Sequence, residues 1–177
     1  MKYLSIVMLL LAISLNPLSA ESNSTKVDSN STQFVLNTPN SGEIHIKEVK
    51  NGIVFEEMKD KVIALVFIAY NGKPCLKLID FLKKMKKEHK EGFDAFAVEM
   101  RGLTGDKLKE FVKQKEINFP IIGYENAKDF THYIARNARW DGSMPFIIIL
   151  NKKGEVKYMQ IGLVAYEGLE QAYKELK

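Results

Sequence analysis

The apolar residues Val62–Ile68 (VIALVFI) run without a polar interruption, the pattern of a strand covered on both faces rather than one with a wet side. A polar break at Asn71, Gly72 and Lys73 follows, and then Pro74. The missing N–H of a proline costs nothing in the first turn of a helix, where that group has no intrahelical partner. Beyond it Leu78, Ile79, Leu82 and Met85 recur at helical spacing, with Lys77, Lys83, Lys84, Lys86 and Lys87 between them. One apolar face and one cationic face predict an amphipathic helix packed on the strand. Phe93, Ala95, Val98 and Met100 mark a second strand after Gly92, and a strand, helix and strand in that order imply a right-handed crossover.

Residues 106–114 (DKLKEFVKQ) set Leu108, Phe111 and Val112 on one helical face, residues 119–122 are a third apolar segment, and residues 126–136 read as another helix. Phe146–Leu150 is an apolar strand, 151–154 a turn with Gly154, and Val156–Ile161 a partner strand, which together predict a hairpin. Tyr166–Leu176 closes the chain as a helix burying Leu169, Ala172, Tyr173 and Leu176. Upstream, the short patches 34–36, Ile44 with Ile46, and 53–55 are divided by Pro39, Gly42 and the Asn51-Gly52 pair, the turn chemistry of a small antiparallel hairpin or meander. No internal repeat is present. The expected class is α/β, with a mixed central sheet, helices on both faces, an N-terminal hairpin and an inserted helix and strand.

The 177 residues are 46% hydrophobic and 27% charged, ordinary for a soluble globular protein with one sizeable core. The net charge of +4 comes from Lys-rich faces interleaved with Glu and Asp. Charge spread in this way is a solvated surface, so no nucleic-acid partner is expected. Residues 1–20 open with Lys2, run apolar over 4–15 and end with Pro17, Ser19 and Ala20, the pattern of a secretory signal peptide. The alternative is a retained N-terminal anchor, against which the apolar run is short for a span of about 20 residues; no stable membrane insertion is expected once the signal is cleaved. Residues 21–33 (ESNSTKVDSNSTQ) carry a single large apolar residue and predict a flexible tether. The N-x-S/T patterns at Asn23 and Asn30 matter only in a glycosylating pathway. The folded domain is therefore expected over 34–177, in the periplasm or another extracytoplasmic compartment.

An exported chain whose only cysteine is Cys75 cannot close an internal disulfide, so its thiol pairs with another molecule, reacts, or is buried. Cys75 falls in the first turn of the helix after the buried strand, where free backbone N–H groups and the helix dipole favour a thiolate. Lys73 adds a nearby positive charge, although a lysine in such a turn is commonly just solvated. Against both stands the plain reading of Cys75 as a small buried hydrophobe.

Phe67, Ala69, Pro74 and Cys75 stand at the spacing of the thioredoxin motif, in which a strand ending F-x-A-x-W runs into C-G-P-C. The stretch resembles the thioredoxin-like superfamily. Laid residue against residue, Cys75 takes the place of the second, resolving cysteine, and Gly72 that of the first, nucleophilic one. Asn71 replaces the tryptophan before it and Val66 the buried acid of the strand. The segment INFPIIGYEN (117–126) resembles the inserted strand of the TlpA and ResA branch and of peroxiredoxins, and Met144-Pro145 with Gly154 and Gly162 matches the family's cis-proline and the strands after it. The resemblance covers 34 to the C-terminus. It implies a thioredoxin-like fold, and a substrate surface at Met144, Pro145, Lys73 and Pro74.

With Gly72 at the nucleophile's position, the two-cysteine cycle of attack and resolution is not available. Two functions follow. One is a degenerate single-cysteine thiol-disulfide oxidoreductase homologue, whose Cys75 forms mixed disulfides with protein thiols or disulfides and depends on an external thiol to clear them. The other is a non-enzymatic binding module that holds extended polypeptide segments in the groove beside Pro145. No cofactor or metal is expected. A soft copper site from Cys75, Met144 and His132 or His89 lacks the C-x-x-x-C and paired histidine of copper-binding relatives. A peroxidatic site finds Ile68 and Gly72 where the peroxiredoxin pattern has proline and threonine, and haem attachment lacks C-x-x-C-H. Trp140, between Arg136, Arg139 and the loop to Pro145, is expected to pack beneath that loop.

Overall fold

The computed structural model describes residues 27–28 and 31–177. In chain order they form β1 (Val27–Asp28), β2 (Ser31–Thr38), β3 (Gly42–Val49), β4 (Gly52–Phe55), β5 (Val62–Ile68), α1 (Lys73–Glu88), β6 (Phe93–Glu99), α2 (Gly105–Lys115), β7 (Ile121–Gly123), α3 (Lys128–Ala138), β8 (Phe146–Leu150), β9 (Val156–Ile161) and α4 (Tyr166–Leu176). The main sheet has the order β7-β6-β5-β8-β9. β5, β6 and β7 run parallel, while β8 and β9 are antiparallel to their neighbours. An antiparallel meander, β1-β2-β3-β4, makes the second sheet.

β5 lies at the centre because all seven of its residues are buried, which requires cover on both faces. Its alternating side chains divide the core in two. Val62, Ala64, Val66 and Ile68 meet Leu78, Ile79, Leu82 and Met85 of α1, with Leu108 and Phe111 of α2 and Leu169 and Tyr173 of α4. Ile63, Leu65 and Phe67 face Phe130 and Ile134 of α3 and the meander residues Phe34, Ile46 and Phe55. Each fully buried Leu or Phe contributes about 1.5–3 kcal/mol relative to exposure, so the paired layers fix the height at which β5 ends and α1 begins.

The mixed sheet, the helices on both faces, the N-terminal meander and the added α2–β7 unit agree with the pattern of apolar positions. Three details differ. Residues 31–33, read as the end of a tether, begin β2: Gln33 pairs with Lys47, and the Thr32 N–H donates to the Glu48 carboxylate at 3.2 Å. Backbone pairing orders this polar stretch where apolar burial alone does not. The rest of the expected signal and tether lies outside the described residues, apart from Val27–Asp28, which pair with Ser31 and Thr32. α3 starts two residues later than its apolar pattern suggests, because a tight turn over Tyr124–Asn126 comes first, closed by Ala127 N–H on Tyr124 O at 2.9 Å. β7 begins only at Ile121, since Pro120 has no N–H for a ladder. The side chain of Asn40 completes that edge, donating to Phe119 O at 2.8 Å and accepting from Ile121 N–H at 3.2 Å.

Among the described residues no helix is long and apolar enough to cross a membrane.

Candidate functional site

At the carboxyl end of β5 the chain turns sharply, with Gly72 N–H donating to Ala69 O at 3.1 Å, and enters α1. Gly72 is the N-cap, at φ −84° and ψ 118°, an extended conformation open to any L-residue. It offers no side chain to the first-turn N–H groups. Cys75 follows in that first turn and is 2% exposed. Its sulfur accepts the Ala69 N–H at 3.3 Å, and a Cβ placed on Gly72 would lie 3.3 Å from Sγ.

The facing wall comes from the loop before β8. Trp140 Nε1 donates to Ser143 O at 2.8 Å, and the Ser143 N–H donates to Asp141 Oδ1 at 2.9 Å. The Trp140 ring stacks on Phe146 at 5.0 Å and meets Phe67 at 4.7 Å. Trp140 thus packs beneath the loop, as expected. The Met144-Pro145 peptide is cis; Met144 is half-buried and Pro145 buried.

A third wall comes from the end of β6, and sequence reasoning missed it. Glu99 is fully buried, yet among the described residues no cation forms an ion pair with it. Backbone donors surround it instead. Tyr70 N–H at 3.3 Å and Arg101 N–H at 2.8 Å reach Oε1, and Leu103 N–H at 2.8 Å reaches Oε2. This carboxylate fastens the turn after β5 to the loop after β6 and holds Arg101 at the site. The available signal was a charged residue closing the apolar run 95–98 at the carboxyl edge of a parallel sheet, where α/β folds bind ligands.

These walls enclose an open cavity of about 370 Å³ whose lining includes Asn71, Gly72, Pro74, Cys75, Arg101 and Met144. Of the residues singled out from sequence, Gly72, Pro74, Cys75 and Met144 meet there. Pro145 lies under Met144 in the chain without lining the space, and Lys73 is exposed outside the wall. The cation of the cavity is Arg101. His89 and His132 are elsewhere. His89 sits at the far end of α1, roughly 20 Å from Cys75 at the helical rise, bound to Glu170 at 2.6 Å and stacked on Tyr173. His132 bonds the Tyr124 hydroxyl at 3.0 Å. Neither can join Cys75 and Met144 around one metal. Another cavity, of about 300 Å³ between the β3–β4 turn, α3 and β9, contains no thiol.

The expectation that the helix start favours a thiolate is corrected by burial. Desolvation pushes the Cys75 thiol above its ordinary range, while the Ala69 N–H and the Arg101 guanidinium pull it down without offsetting that, and Glu99 adds to the rise. A first-turn position lowers a thiol's pKa only where the charged form keeps access to solvent or strong donors.

The sequence model of the AhpC/TSA family matches residues 32–159. No curated protein sequence matches the chain significantly. Among solved structures, a thioredoxin-family thiol:disulfide interchange protein from Chlorobium tepidum superposes with a TM-score of 0.61 at 18% identity, covering 81% of this chain and 92% of that one. The exposed lipoprotein thioredoxin of Streptococcus pneumoniae gives 0.60 at 20% identity, over 81% and 99%. The thioredoxin domain of a thiol-disulfide oxidoreductase from Bacteroides vulgatus gives 0.62 at 13% identity, over 88% and 100%. The fold is thioredoxin-like.

Two outcomes test this geometry. Glu99→Gln turns one oxygen acceptor into an NH2 facing backbone donors, so thermal or urea unfolding should show a loss of about 1–3 kcal/mol; an unchanged midpoint would mean the carboxylate fastens nothing. In the native protein, alkylation of Cys75 by iodoacetamide should be about tenfold or more slower than that of free cysteine at pH 7 and should still be rising past about pH 9. A profile that levels near neutral pH contradicts the raised thiol.

Proposed function

The chain belongs to the AhpC/TSA family, and on that basis we propose that it is an exported, single-cysteine thiol-disulfide exchange protein whose Cys75 forms mixed disulfides and does not resolve them alone. The observation that carries this reading is the position of Cys75 in the wall of an open cavity next to Gly72, which has no side chain over the sulfur. The thiol:disulfide interchange activity named for the Chlorobium tepidum relative supports the same chemistry on the same scaffold. Exchange begins with the thiolate of Cys75 attacking a disulfide sulfur. The new bond joins Cys75 to one half of the substrate, and the other half leaves as a thiolate that takes up the proton Cys75 gave up. A second thiol from outside must then attack the mixed disulfide, since residue 72 supplies none.

In this reading Cys75 is the reacting atom, and Met144, Pro145 and Pro74 provide the surface against which the partner lies, with Lys73 at its edge. Residues 1–20 act as the signal peptide, and the polar stretch after them leads into the domain, whose β2 begins at Ser31. The apolar leader pattern and the exposed lipoprotein among the similar folds support an extracytoplasmic site of action.

Mass spectrometry of the folded protein after mild treatment with oxidised glutathione should find one adduct, at Cys75, removable by dithiothreitol, while insulin reduction stays at the uncatalysed background. An unmodified Cys75 or robust insulin turnover contradicts the proposal. Gly72→Cys should restore the pair: the backbone angles suit a cysteine and the Cβ position is 3.3 Å from Sγ, so oxidation should yield a product lighter by two hydrogens that gains insulin-reducing activity. Two free thiols surviving oxidation would mean that residue 72 does not occupy the nucleophile's place.

A further inference from the structure

Arg101 is exposed, lines the cavity that holds Cys75, and among the described residues forms no ion pair with a carboxylate. Its backbone is fixed where its side chain is not, because its N–H donates to the buried Glu99 at 2.8 Å. Glu99 is consumed by three backbone donors, and the cavity lining contains no acidic residue. Among the residues that line the cavity the only formal charge is therefore positive, while two carboxylates bond the backbone of lining residues from outside it, Glu99 that of Arg101 and Asp141 that of Ser143. The first turn of the 16-residue α1, which Gly72 leaves without a side-chain cap, adds the same sign. The space, about 370 Å³, lies at the lower end of the range for small-molecule pockets. A guanidinium of this kind meets a carboxylate in paired, planar hydrogen bonds.

We infer that Arg101 is the specificity-determining residue of this site and that Cys75 exchanges with small disulfides bearing carboxylates, one of which docks on the guanidinium while a substrate sulfur meets Sγ. This rests on the exchange reading of Cys75. The reaction is Cys75–SH plus R–S–S–R giving Cys75–S–S–R plus R–SH: the small disulfide is the oxidant, its S–S bond breaks, and the proton lost by Cys75 ends on the departing thiol. Run backwards, the same guanidinium guides the carboxylate-bearing thiol that clears the adduct. The charge therefore acts on both formation and release.

The test is the rate of adduct formation on the full chain at low salt, read by mass spectrometry, with three probes: oxidised glutathione (net negative), bis(2-hydroxyethyl) disulfide (neutral) and cystamine (positive). Each probe's rate with wild type is divided by its rate with Arg101→Gln, which cancels the intrinsic reactivity of the probes. The expected ratios are about five for oxidised glutathione, within about twofold of one for the neutral disulfide, and below one for cystamine. Arg101→Lys should keep part of the preference, and raising the salt to about 0.5 M should compress the series. Equal ratios for all three probes, or a series in the opposite order, overturn the assignment of Arg101 while leaving the exchange chemistry standing. Adducts with none of the probes overturn the exchange chemistry and this assignment together. Matching thermal midpoints for wild type and Arg101→Gln confirm that the ratios report the site and not the fold.

Discussion

The buried carboxylate of Glu99 is the constraint on which the site depends. A charge taken wholly out of water must be met by strong donors, and here the donors are three backbone N–H groups from two separate loops. Meeting that requirement brings the turn after β5 and the loop after β6 together. The turn carries Gly72 and the entry to α1; the loop carries Arg101. Together with the bond from Met100 N–H to Ile68 O at 2.9 Å, the carboxylate holds these segments against one another and keeps the third wall of the cavity in place.

Burial acts on Cys75 in the opposite sense from its position in the helix. The first turn of α1 offers free N–H groups and a favourable dipole, yet Sγ is close to the hydrophobic layer of Ala69, Leu78 and Ile79, and desolvation dominates. The result is a thiol that is sheltered, held toward its neutral form by desolvation and still in contact with an open cavity. Such a sulfur suits a role in which exchange is selective rather than fast. In a two-cysteine motif, the first sulfur would stand over the second. Here the space above Sγ is part of the cavity.

Much of the fold was legible in the chain because its strands and helices announce themselves by burial. Seven apolar residues in a row at Val62–Ile68 mean a central strand, and the Leu78, Ile79, Leu82, Met85 spacing means a helix on top of it. The start of β2 was not legible, since Ser31, Thr32 and Gln33 are held by ladder pairing and one carboxylate, interactions that leave no hydrophobic pattern. The site was legible where it follows the chain, at Gly72, Pro74 and Cys75, and at Met144 where it follows the resemblance. Glu99 and Arg101 were not. They come from the end of a neighbouring strand and the loop after it, and a single glutamate at the end of an apolar run gives no local sign that its own following loop and the distant Tyr70 N–H converge on it. The thiol's direction of shift was missed for a related reason: dipole and capping are local and readable, while desolvation depends on what other segments pack around the sulfur.

With one sulfur, selectivity and turnover become the same problem. A two-cysteine protein can discard a poor partner by internal attack of its second thiol, so its first encounter need not discriminate. A single-cysteine site has no such exit, and any adduct persists until a thiol of suitable shape arrives from solution. The discriminating elements must therefore lie in the walls of the cavity, acting on the incoming disulfide and on the thiol that later removes it. In the proposed exchange, an arginine that forms no ion pair among the described residues and lines the same cavity as the sheltered sulfur would act on both steps, because the same attraction operates in each direction.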